Sequence, residues 1–275
     1  MIIYRGLHYI FRHITALDNR IMAKMQAAEK AAIEREANKV VDSLPEKDRF
    51  FSEISIITHA GGGLQGLSYL NSKDAFSYYY ENGNRVFEYD IDLSEDGKYI
   101  CTHVDRSISE SDHMNSKIDH RFSPISMDDC LCLISKYKDI KVVFDCKFCD
   151  LQPFAEYVKS SLQEQEDLSR VVIQVFSKEN IDQIRRVWNF KMLYVCMNNT
   201  DYIETAKICV EYNIGAVSIS DSSINNRAGW NVFINANICT FIYTVNTVQR
   251  FIELKEAGLC GAFSDFLFEK DVKET

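Results

Sequence analysis

The chain has 275 residues, 46% of them hydrophobic, and a formal net charge of −9. That length and apolar content can fill one large core, and the acidic balance argues against nucleic acid as a partner, because tracking a phosphate backbone needs a basic face. Nine cysteines fall short of the density of a disulfide-framed secreted domain, and no apolar run approaches the roughly 18 residues of a spanning helix, so a soluble, unprocessed protein of the reducing cytoplasm is expected.

Residues 1–50 form an extension distinct from the rest of the chain. Apolar side chains at Leu7, Ile10, Ile14, Leu17, Ile21 and Met25 recur every three or four residues, the stripe of an amphipathic helix. It can pack on the main domain, self-associate into a homo-oligomer, or lie on a membrane surface through Arg5, Arg12 and Arg20. The run ends at Asp42-Ser43-Leu44-Pro45, a helix stop.

Over 51–275, β-rich runs alternate with helical stretches. Strands are expected at 54–58, 86–93, 141–146, 171–176, 192–196, 216–219, 240–246 and 261–264, and helices at 71–80, 127–137, 151–165, 179–188, 202–212, 229–236 and 248–256. The count of eight predicts an α/β fold, a (β/α)8 TIM barrel, with a doubly wound sheet as the alternative. Chemistry in such barrels sits at the C-terminal ends of the strands, where His59, Asp90, Asp145, Lys147 and Asn246 fall.

Glu88 and Asp90 stand two apart on one strand and therefore share a face. A cluster of carboxylates repels itself unless a hard cation such as calcium or magnesium holds it, and such an ion polarises a phosphoryl group. The plainer alternative is a solvent-facing acidic pair. Cys146-x-x-Cys149 has half the spacing of a zinc site, but no second half is present to complete four ligands. Gly61-Gly62-Gly63 lacks the Lys-Ser/Thr of a nucleotide loop and reads as a tight turn whose amides can also support a phosphate.

In order, His59-Ala60-Gly61-Gly62, Asn71-Ser72, Glu88-Tyr89-Asp90, His103-Val104, Asp145-Cys146-Lys147, Tyr243-Thr244-Val245-Asn246 and Gly261 to Asp265 resemble the motifs of the glycerophosphodiester phosphodiesterases. The resemblance spans roughly residues 55–266 and corresponds to a branch with His-Ala-Gly-Gly in place of His-Arg-Gly. It implies a phosphoric diester hydrolase acting on a small phosphodiester, with Glu88, Asp90 and Asp145 on one calcium or magnesium ion. His59 and His103 would be acid and base, and Lys147 would stabilise developing charge. Three positions depart from the pattern: Ala60 replaces a phosphate-clamping arginine, for which Lys147 or Arg106 would have to compensate; Val104 replaces an acid; and Asp145 stands where many members have glutamate. A polar insertion at 105–124 is short, which implies an open site. The competing functions are a silent barrel that binds a phosphorylated ligand, and a lyase-type phospholipase that releases a cyclic phosphate.

Overall fold

The computed structural model describes residues 21–25, 27–28, 31, 46–103, 108–146, 150–197, 200–221 and 227–273. Most of the expected N-terminal helix lies outside them, although 21–25 are helical. Eight parallel strands form the barrel: β1 (Ile56–Thr58), β2 (Val86–Leu93), β4 (Lys141–Asp145), β5 (Val171–Val175), β6 (Lys191–Cys196), β7 (Ala216–Ser220), β8 (Cys239–Tyr243) and β9 (Gly261–Ser264). β1 pairs with β9 on one side and with β2 on the other, which closes the sheet into the expected (β/α)8 barrel.

Because side chains alternate along each strand, every strand feeds two cores. Ile57, Val86, Val143, Val172, Leu193, Ala216, Phe241 and Phe263 fill the barrel interior, while Ile56, Phe87, Val142, Phe144 and Ile173 meet the surrounding helices. The floor of the barrel is closed by the helix Arg49–Ser52, whose Phe51 enters the interior core. Lys141 Nζ donates to Phe50 O at 2.9 Å, and Lys191 Nζ meets Asp48 Oδ2 at 2.7 Å.

β2 runs past the rim and turns back in a hairpin as β3 (Tyr99–Cys101), antiparallel to it with Ile91 opposite Cys101. Two features differ from the sequence expectation. The helix expected at 151–165 is two, Leu151–Ser161 and Gln165–Ser169. The polar insertion holds a helix, Glu110–Asn115, capped by the Ser109 side chain, and it buries His113 and Phe122.

Candidate active site

The alternation that fills the interior also builds the site. Val143 points inward, so its partner Glu88 does too, and two residues further along both strands the pair Asp90 and Asp145 repeats the geometry. All three carboxylates are buried and offer oxygens within 4.8 Å of one another. Among the described residues this is the one His/Cys/Asp/Glu group with the closeness of a metal site. Glu88 Oε2 accepts from the Ala60 amide at 2.7 Å. Asn71 holds Asp90 twice: its Nδ2 donates to Asp90 Oδ2, and its Oδ1 accepts from the Asp90 amide, each at 3.1 Å.

Burial, and next the charge of Asp90, push the Glu88 pKa from 4.5 up to about 8, against the opposing pull of His59 and the Ala60 amide. A buried set of oxygens that retains a proton near neutrality is a set short of positive charge. The hard donors and their closeness fit a divalent cation.

His59 follows β1 in a single turn. Its Nδ1 lies 2.8 Å from Asp265 Oδ1, across the seam where β1 meets β9. Asp265 is itself fixed, because Asn246 Nδ2 donates to its Oδ2 and its amide donates to Asn246 Oδ1, both at 2.9 Å. Burial lowers the His59 pKa, but the Asp265 hydrogen bond and the charges of Glu88, Asp265 and Asp90 outweigh it, and the net shift is upward. Asn246 therefore serves the rim by holding Asp265.

The turn after His59 depends on glycine. Gly62 has φ +103, and a Cβ there would lie 2.3 Å from the Tyr79 ring. That ring is buried, and its hydroxyl reaches the carbonyls of Gly63 and Asp265 at 2.8 and 2.7 Å. The glycines form the tight turn expected of them, and two of their three amides already have partners. Gly62 N donates to His59 O and Gly63 N to Asp265 O, so both bond inside the protein. Ala60, with φ 46, is fully buried.

The β3 return brings the second histidine to the site, since the Thr102 amide donates to Asp90 O at 3.0 Å and His103 is the next residue. His59, His103, Glu88 and Asp145 line one cavity of about 180 Å³ with Tyr69 and the buried polar residues Gln174 and Ser218. No lysine or arginine lines it among the described residues. Lys147, Val104 and Arg106 lie outside those residues. Sequence reading assigns no role to Asp265, Asn71 or Tyr69, although Asn71 and Asp265 stand within the resembling motifs. The available signal is an acid directly after a strand for Asp265 and a polar residue directly before a helix N-cap for Asn71, each within a motif.

The fold is a (β/α)8 barrel of the kind found in solved glycerophosphodiester phosphodiesterases. A glycerophosphodiester phosphodiesterase from Parabacteroides distasonis superposes with a TM-score of 0.64 at 16% identity, covering 80% of this chain and 95% of that one. A phosphodiesterase from Oleispira antarctica, in complex with the product sn-glycerol-3-phosphate, gives 0.64 at 16% identity over 80% and 96%. The Thermotoga maritima glycerophosphodiester phosphodiesterase gives 0.62 at 14% over 78% and 95%. No protein-family model and no curated protein matches the sequence.

Proposed function

We propose that this barrel hydrolyses a glycerophosphodiester, a small-molecule substrate, to glycerol phosphate and an alcohol. The observation that carries this reading is a buried carboxylate trio, two of whose members, Glu88 and Asp145, line one cavity together with a carboxylate-held histidine. Glu88, Asp90 and Asp145 hold calcium or magnesium, with Asn71 and the Ala60 amide keeping two of the carboxylates in place. A bound divalent cation supplies charge neutralisation at a non-bridging phosphate oxygen.

Asp265 takes the Nδ1 side of His59, which leaves Nε2 as the ring nitrogen for proton transfer. His59 and His103 divide the work: one accepts the proton of the attacking hydroxyl and the other protonates the leaving alkoxide. Lys147, two residues past Asp145, stabilises the negative charge that builds on the phosphoryl group. The eight described cysteines are free thiols, in keeping with a cytoplasmic setting, and no described helix is long and apolar enough to cross a membrane.

The test is phosphorus NMR of a panel of glycerophosphodiesters with calcium, magnesium or chelator, using the wild-type chain, His59→Ala and Glu88→Ala. Cation-dependent glycerol phosphate, lost in both variants, is the expected result. A cyclic phosphate product would replace hydrolysis by lyase chemistry, and cation binding without turnover of any diester would replace it by a silent, ligand-binding barrel.

A further inference from the structure

The two histidines are supported in different ways. His59 has the Asp265 carboxylate, whereas His103 is exposed and, among the described residues, no carboxylate bonds its ring. What His103 does have is Tyr69, whose ring meets it at a centroid distance of 4.5 Å and an interplanar angle of 62°. The same tyrosine meets His59 at 4.9 Å and 72°. Tyr69 thus stands between the two imidazoles, edge to face with both, on the wall of the cavity that both line.

The backbone is built to hold it there. Leu64 and Leu67 exchange hydrogen bonds of 3.0 Å in both directions, with Gln65 and Gly66 at positive φ between them, so the chain doubles back in a tight turn. Directly after Tyr69, Leu70 is buried and the Asn71 amide donates to Ala60 O at 2.7 Å. Tyr69 itself adopts φ 58, a left-handed conformation that a residue with a Cβ adopts only when its surroundings impose it. It is 43% exposed, so little burial of its own offsets that strain.

We propose that Tyr69 is a positioning residue that fixes the His103 imidazole at the cavity wall by ring contact, in a chain where valine follows that histidine. Its catalytic half rests on the phosphodiesterase function proposed above; its structural half does not. Because the ring makes the contact with both imidazoles, phenylalanine keeps that contact and alanine removes it. Tyr69 is outside the core, so neither change removes buried packing.

The experiment is proton–carbon NMR of the histidine rings in the full chain, assigned with His103→Asn, for wild type, Tyr69→Ala and Tyr69→Phe, beside steady-state kinetics on the best diester. In Tyr69→Ala the His103 ring signals move away from their ring-current-shifted positions, and kcat falls about tenfold or more with KM nearly unchanged. Tyr69→Phe restores both the signals and most of the turnover. The proposal is overturned if Tyr69→Ala leaves the His103 signals in place, if it raises KM with kcat intact, or if Tyr69→Phe is as impaired as alanine. Should the wild-type chain turn over no diester, the ring signals still decide the positioning role, and only the proposed reaction fails.

Discussion

Replacing Glu88 by glutamine probes the site without relying on any substrate. The Glu88 carboxyl titrates at about 8 in the native chain against 4.5 ordinarily, chiefly through burial and then through Asp90. Between those two values the folded chain keeps a proton that the unfolded chain has released, so native stability falls as pH rises, by up to about 1.4 kcal/mol per pH unit for one group. Across the whole window this amounts to roughly 4 kcal/mol, on the order of 10 °C in Tm for a chain of this size. His59 acts in the same sense: its native pKa is raised above 6.5, so the stability its proton confers is full below 6.5 and lost as pH climbs through the native value. Thermal unfolding in chelator from pH 5 to 8.5 should therefore show wild type losing stability with rising pH. Glu88→Gln should follow a flatter curve, its residual slope due to His59, and should be the more stable protein at pH 8. Calcium or magnesium should raise the wild-type Tm more at pH 8 than at pH 5.5, because binding must displace the proton, and should barely affect the variant. Parallel pH curves for the two proteins in chelator would refute this account of Glu88.

Asp265→Asn removes the carboxylate whose hydrogen bond is the largest upward push on the His59 pKa, against the larger downward effect of burial; kcat should fall about 100-fold with a small change in KM, and the His59 limb of the pH–rate profile should move to lower pH. Asn71→Ala strips Asp90 of a side-chain donor and of its amide's acceptor; calorimetry should show cation affinity weakened about tenfold or more, and urea unfolding a loss of roughly 2 kcal/mol. Gly62→Ala forces a Cβ against the buried Tyr79 ring at φ +103; a loss of about 2 kcal/mol or more in urea unfolding is expected, against no loss if the ring can yield.

How much of this is legible in the sequence depends on the range over which each signal acts. Each of the eight barrel strands appears where its β-rich run lies, β2 and β9 with unchanged ends, because a strand inside a barrel shows its apolar character locally. The short helix Glu110–Asn115 carries too few apolar residues to show a period. The break between Leu151–Ser161 and Gln165–Ser169 has no proline or glycine to mark it. The carboxylate trio is readable because strand alternation fixes which residues share a face once β2 and β4 are neighbours. The handedness of the Tyr69 backbone is not, since no glycine or asparagine at that position announces it.

The Asp265 contact shows where sequence reading stops and topology takes over. It joins residues 206 positions apart, and no periodicity spans that distance. Yet barrel closure requires the first strand to lie between the second and the last. A histidine at the end of β1 must then have the residues ending β2 on one side and those ending β9 on the other. β2 contributes Glu88, which raises the His59 pKa by its charge, and β9 leads into Asp265, which orients the ring. The orienting carboxylate is thus implied by the eight-strand count together with an acid directly after the last strand. Asn246, just beyond β8, lies one strand further round the same seam, where it holds Asp265 as Asp265 holds His59.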